Sequence, residues 1–244
     1  MQAAAPLLVA NGLHKHFGAL VVLDGIGLSL GAGEALGIVG PNGAGKTTLL
    51  SVLSGAQAPN AGSIQFKGAD VTMLGAPARC RQGLARTHQI PRPFSGMTVF
   101  ENAYVAASQA GAVSRSDAYD LAVDALMLCG MLKLVNRPAE TLGLLDRKRL
   151  ELARALATRP ALLLLDEIGG GLTDAEASEL VATIRVLRQR GISIVWIEHI
   201  VHVLLQVAER LICMDAGRII ADGDPKTVLA DAGVVAAYLG VAAA

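Results

Sequence analysis

Short apolar runs alternate with amphipathic stretches along most of this chain. Leu36-Gly37-Ile38-Val39, Leu162-Leu163-Leu164-Leu165 and Ile192-Ser193-Ile194-Val195-Trp196-Ile197 are almost wholly apolar, the pattern of strands buried on both faces. Stretches with one apolar face at helical spacing follow them: Thr48 to Leu53, Thr173 to about Arg190, and the segment carrying Val201, Leu204, Leu205 and Val207. Strands that alternate with helices predict an α/β chain. Arg147 to Thr158 is a further helix. Leu150, Leu152, Ala153, Leu156 and Ala157 lie on one side of it, and Pro160 stops it.

The flanking segments have a different texture. Leu7 to His16 reads as an edge strand. Val21-Val22-Leu23-Asp24 and Ile26 to Leu30 read as further short strands before the turn Gly31-Ala32-Gly33-Glu34. Pro59 to Gly62 predicts a turn and Ser63 to Phe66 a strand. Pro77 begins a short helix, and Leu84 to Gln89 is a strand with a polar end. Pro91 and Pro93 then break the pattern, and residues from about Thr98 to Leu134 have helical spacing, joined through Gly111 to Ser116. This predicts an all-helical insertion closed by Arg137-Pro138. Leu211 to Met214 and Arg218 to Ile220 predict a hairpin, and Asp224 to Leu239 a helical tail.

Composition narrows the class. The 244 residues carry a net charge of +0, which argues against nucleic acid as a partner, because such binders show a basic face. The hydrophobic fraction is 52%, yet no apolar run reaches the roughly 18 residues of a membrane span. Met1 to Ala10 lack the positive flank of a signal peptide. Cys80, Cys129 and Cys213 are scattered and are expected to be buried thiols in a reducing, cytoplasmic setting, with no metal site.

One stretch carries the chemistry. Gly40-Pro41-Asn42-Gly43-Ala44-Gly45-Lys46-Thr47-Thr48 fits G-x-x-x-x-G-K-[ST] between a predicted strand and a predicted helix. Its glycines let backbone N–H groups approach phosphate oxygens, and the helix N-terminus adds partial positive charge. Lys46 can reach the β- and γ-phosphates of a nucleotide, and the Thr47 hydroxyl can ligate Mg²⁺. Asp166 and Glu167 follow an all-leucine strand, at the sheet edge where ligands bind. Asp166 can hold Mg²⁺ and Glu167 is placed to polarise water; the alternative is an acidic helix-capping pair. His199 also stands at a strand's carboxyl end. Phe17, before Gly18, is either an adenine-stacking ring or a core residue at a strand end.

These motifs, in this order, resemble the ATP-binding-cassette ATPases over nearly the whole chain. Arg86-Thr87-His88-Gln89, Thr98 to Asn102, Leu150 to Ala157 and Ala237-Tyr238-Leu239-Gly240 look like one branch, the ATP-binding subunits of branched-chain amino-acid importers. The resemblance implies an α/β fold: a RecA-like P-loop NTPase core with an antiparallel β edge subdomain and an inserted α-helical subdomain. It implies a single cassette over residues 1–244, with 1–90 and 151–244 as the nucleotide-binding core and about 91–150 as the helical part. By position it makes Phe17 the adenine-stacking aromatic and Lys46, Thr47 and Thr48 the phosphate and Mg²⁺ groups. Gln89 becomes the glutamine that contacts Mg²⁺ and water, Asp166 the Mg²⁺ carboxylate, Glu167 the catalytic base and His199 the γ-phosphate switch. ATP and Mg²⁺ are the implied cofactors. The implied partners are transmembrane permease subunits, a second cassette ATPase subunit and a periplasmic or extracellular solute-binding protein, with the chain peripheral on the cytoplasmic side of the inner membrane.

Two stretches depart from the family pattern. Where Leu-Ser-Gly-Gly-Gln or a near variant is usual, this chain has Leu142-Gly143-Leu144-Leu145-Asp146. A γ-phosphate facing it would lose a hydroxyl donor and meet a carboxylate. In addition, Ile168 replaces the proline usual after the Asp-Glu pair, and Gly171-Leu172-Thr173-Asp174 lacks the usual Asp or Asn after the leucine. The expected function is the ATPase of an importer. The rivals are a non-transport cassette ATPase and a regulatory nucleotide-binding subunit with little turnover.

Overall fold

A computed structural model of the chain describes residues 5–111 and 113–239. The expectation for the chain's first four residues therefore lies outside them, as does Gly240. Ten strands and nine α-helices are present among the described residues. The central sheet has six strands: β3 (Ala35–Val39), β6 (Leu84–Arg86), β7 (Leu162–Asp166), β8 (Ser193–Ile197), β9 (Arg210–Asp215) and β10 (Arg218–Gly223). Their spatial order is β10-β9-β3-β8-β7-β6, parallel except for the antiparallel hairpin strand β10. The carboxyl ends of β3, β8, β7 and β6 therefore share one edge.

Strand side chains alternate between faces, and this splits the core in two. Leu162, Leu164, Val195, Ile197, Ile212 and Met214 pack with α1 (Lys46–Leu53) and with a four-stranded antiparallel sheet. Leu163, Leu165, Ile194, Trp196 and Leu211 pack on the other face. The helices on that side include α3 (Val99–Ala107), α4 (Arg115–Leu128), α5 (Leu144–Ala157), α6 (Asp174–Gln189) and α7 (Val201–Leu204), and Val228 and Val234 from the tail join the same cluster. Burial on both faces is why these strands carry almost no polar residues. Helix starts are well determined. Thr98 with Glu101, Ser114 with Asp117, and Thr173 with Glu176 each form a reciprocal capping pair.

The structure corrects several expectations. The antiparallel sheet runs β2-β1-β4-β5, with β1 at Leu8–Phe17, β2 at Leu20–Leu30, β4 at Ala61–Phe66 and β5 at Ala69–Asp70. The first strand is therefore not an edge strand; it pairs with both β2 and β4. The two strands expected at 21–24 and 26–30 are one. Gly25, at φ +74°, sits where the register against β1 shifts, so the chain passes through an irregularity without leaving the sheet. The strand expected to reach Gln89 ends at Arg86. The tail is two helices, α8 (Pro225–Ala230) and α9 (Ala232–Leu239). Asp231 is extended between them, and its carboxylate accepts from the N–H groups of Gly233 and Val234. Helix α5 begins at Leu144, not Arg147, so three of the four altered residues, Leu144 to Asp146, form its first turn and the fourth, Gly143, is its N-cap. Cys129 and Cys213 are buried thiols, the latter raised to about 11 by burial first, but Cys80 is partly exposed.

Candidate functional site

The loop between β3 and α1 makes one wall of a cleft of about 190 Å³. Asn42 to Thr48 line it, together with Val22, Glu167 and His199. Two glycines are required by space as well as by backbone angle. Gly40, at φ +144°, would place a Cβ 2.0 Å from the Met214 carbonyl oxygen. Gly45, at φ +98°, would place one 2.6 Å from that of Val22. Larger residues would push the loop off the sheet. Behind the loop, the Gly40 N–H donates to the Tyr238 hydroxyl of α9 at 2.8 Å.

Lys46 is buried at the start of α1. Its ammonium donates to the carbonyls of Gly40 at 2.6 Å and Pro41 at 2.9 Å. An ammonium has three donors, so one remains for the cleft. Burial lowers the Lys46 pKa, opposed by the negative groups around it, with Glu167 first.

Glu167 follows β7 in a left-handed backbone conformation, φ +48°, rare for a residue with a side chain. Its N–H donates to the Ile197 carbonyl across to β8. Its carboxylate is held at both oxygens: His199 Nε2 lies 2.7 Å from Oε1, and Gln89 Nε2 donates to Oε2 at 2.5 Å. The adjacent strands β6, β7 and β8 thus deliver Gln89, Glu167 and His199 to one point. Glu198 is buried beneath and accepts from the Gly169 N–H at 2.6 Å. Burial raises its pKa, against the lowering effect of that hydrogen bond.

Asp166 is almost fully buried. One oxygen, Oδ2, accepts from Arg86 Nη2 at 2.7 Å, whereas Oδ1 is buried with no hydrogen-bond partner. A buried carboxylate oxygen without a donor is costly, and a divalent cation would satisfy it. No group of three or more metal-ligating side chains occurs among the described residues. One carboxylate and one hydroxyl suit Mg²⁺, which is held by few protein ligands plus substrate phosphates and water.

Phe17 stands apart from this group. It lies where β1 turns into β2, half exposed, with the Lys15 ammonium 5.1 Å from its ring centre, and it does not line the cleft. Residues 142–146 are also away from the cleft. Gly143 caps α5 without a side-chain hydrogen bond, and Asp146 lies 3.5 Å from Arg149. Sequence reasoning missed the parts played by Arg86 and Tyr238. The one available signal was an arginine inside an otherwise buried strand end.

A phosphate loop between the first core strand and α1, with an acidic pair at the end of a parallel strand one removed from it across β8, defines a P-loop nucleotide-binding ATPase. The family described as ABC transporter matches residues 23–169, and a C-terminal family described as branched-chain amino acid ATP-binding cassette transporter matches residues 218–244. The chain is 36% identical to the high-affinity branched-chain amino acid transport ATP-binding protein LivG of Escherichia coli (strain K12), over 97% of this chain and 99% of that one. It is 33% identical to the corresponding protein BraF of Pseudomonas aeruginosa, over the same shares. A solved ATP-binding cassette of an ABC transporter in its ADP conformation superposes with a TM-score of 0.87 at 29% identity, covering 97% of this chain and all of that one. The chain belongs to the ATP-binding-cassette ATPases of ABC transporters. It is an ATPase whose turnover is coupled to transport. No helix among the described residues is long and apolar enough to cross a membrane itself.

Proposed function

We propose that this chain powers an importer of branched-chain amino acids or a related small polar solute from the cytoplasmic side of the inner membrane. The observation that carries the chemical part is the meeting of Gln89 and His199 on the two oxygens of Glu167, facing the phosphate loop. Likeness to LivG and BraF over nearly the full length supports the substrate class.

The residues take roles as follows. Backbone N–H groups from Asn42 to Thr48 and the Lys46 ammonium hold the ATP phosphates. Thr47, Asp166 and Gln89 hold Mg²⁺, which neutralises phosphate charge when bound. Glu167 orients the attacking water and takes its proton. His199 donates to the γ-phosphate and returns to Glu167 after release. Phe17 supplies a ring for the adenine. Residues 1–90 and 151–244 act as the nucleotide-binding core, and about 91–150 as the helical subdomain that docks on permeases. A groove of about 320 Å³ beside it, lined by Arg86, His88, Ala106, Glu151 and Arg154, is available for that docking. A second cassette closes over the nucleotide, and a solute-binding protein delivers the solute to the permeases.

The test is uptake of labelled leucine into proteoliposomes holding the permeases, this chain, its partner cassette and the binding protein. ATP-dependent uptake that stops in Glu167→Gln is expected. ATP hydrolysis without uptake of any branched-chain amino acid would overturn the substrate assignment.

A further inference from the structure

Arg86 ends β6, the strand beside β7, in register with Leu164. Its guanidinium is mostly buried and forks between two elements. Nη2 donates to Asp166 Oδ2 at 2.7 Å, and Nη1 donates to Ser51 Oγ at 2.9 Å. Ser51 Oγ donates in turn to the Thr47 carbonyl at 2.8 Å. One planar side chain therefore links Asp166 at a strand end to Thr47 in the first turn of α1. With Oδ2 engaged by the fork, the carboxylate turns its other oxygen, Oδ1, to a buried point that offers no protein donor.

We propose that Arg86 is a positioning residue for the divalent cation. It fixes the Asp166 carboxylate and the start of α1 in one geometry, so that Oδ1 and the Thr47 hydroxyl are presented together. The proposal rests on the Mg²⁺ reading given above. A simple counter-charge would behave differently. A cation beside the carboxylate repels a second cation, so removing a mere counter-charge tightens metal binding. Lysine would replace a counter-charge but not a fork, because its ammonium is a single point on a flexible stem.

The experiment uses the full chain with a non-hydrolysable ATP analogue, and Mn²⁺ as the paramagnetic probe. Affinity for the analogue is first measured in EDTA, then Mn²⁺ binding by electron paramagnetic resonance. Arg86→Lys and Arg86→Met are expected to keep the metal-free analogue affinity and to bind Mn²⁺ about tenfold or more weakly, the usual cost of losing a residue that orients a metal ligand. Ser51→Ala leaves Arg86 and Asp166 in place and favours the helix. It is expected to fold and to bind Mn²⁺ about threefold more weakly, in line with one lost hydrogen bond. Unchanged or tighter Mn²⁺ binding in the Arg86 variants overturns the proposal. If those variants do not fold, unchanged Mn²⁺ binding in Ser51→Ala overturns it alone. A wild-type protein that binds the analogue but shows no Mn²⁺ signal overturns the Mg²⁺ reading, and this proposal with it.

Discussion

His199 Nε2 lies 2.7 Å from Glu167 Oε1. The two residues come from adjacent parallel strands whose ends are in register, Asp166 opposite Ile197. Each stands just beyond its strand, so sheet pairing sets their separation. The left-handed backbone at Glu167 turns its carboxylate into the cleft. Strain of this kind is kept where the surroundings over-determine it. Here the determinants are the Ile197 carbonyl, Gln89 and His199.

Glu167→Gln is expected to keep ATP binding and to slow hydrolysis by about 10²–10⁴-fold, the usual contribution of a positioned base. His199→Ala is expected to cost on the order of 10²–10³-fold, the worth of a preorganised donor at developing charge. Single-turnover hydrolysis in the assembled transporter measures both. Near-normal rates would remove the residue concerned from the mechanism.

Among the described residues, Lys46 carries the one ammonium that lines the phosphate cleft, and Lys46→Ala removes it. Loss of detectable ATP binding in a direct titration is expected. Unchanged affinity would show that the loop N–H groups hold the phosphates without it.

Tyr238→Phe deletes only the hydroxyl that accepts from the buried Gly40 N–H. A stranded buried donor costs about 1–3 kcal/mol, and Gly40 opens the phosphate loop. Lower melting temperature and weaker ATP binding are therefore expected together. A variant with wild-type values for both would show that α9 leaves the loop unaffected.

Much of this arrangement is legible in the sequence, for a physical reason. Strands buried on both faces, such as Leu162–Leu165, have no polar alternative, and a phosphate loop needs particular glycines at fixed places. The antiparallel sheet was less legible. Alternation along Leu8–Phe17 reports one buried face but not how many strands flank it, and its partner β4 lies about fifty residues away. The site's convergence depends on register between β6, β7 and β8, which no local pattern encodes. Arg86 illustrates this: its partner Asp166 is 80 residues distant. Roles assigned by position for Gln89 and His199 are compatible with where those side chains meet. Phe17 is placed by the resemblance alone, since it lies outside the cleft lining.

Glu151 gives a test in pH. Burial by itself would raise its pKa, but the hydrogen bond from His88 at 2.8 Å and the charge of Arg154 at 3.1 Å outweigh burial and hold it below the ordinary value. A depressed carboxylate contributes stability that is present above its unfolded value, near 4.5, and is lost as pH falls through the folded one. Glu151→Gln is therefore expected to be less stable at pH 7 by about 1–3 kcal/mol, as for hydrogen bonds to a charged group. The difference should shrink below pH 4.5. Denaturant melts at pH 7 and pH 4 check this, and an equal deficit at both would show that the charge contributes nothing.

The altered residues at the start of α5 lead to a prediction about asymmetry. If two cassettes pair head to tail, as the resemblance implies, each ATP lies between one chain's phosphate loop and the other's signature, the stretch matching residues 142–146 here. Here the phosphate-loop half is whole, whereas the signature half offers Gly143 without a hydroxyl and Asp146 with a negative charge that Arg149 offsets from 3.5 Å away. In a homodimer both sites would face that surface. In a heterodimer whose partner carries an intact signature, one site would be complete, built on Lys46, Asp166, Glu167 and His199 from this chain. The other site would hold ATP against Gly143 and Asp146 and turn over slowly. Weak ATPase activity is therefore expected for this chain alone, and strong activity for the mixed pair. In the pair, Glu167→Gln here should stop nearly all turnover, while the matching change in the partner should cost much less. Equal losses from the two changes, or full activity from this chain by itself, would show the two sites to be equivalent.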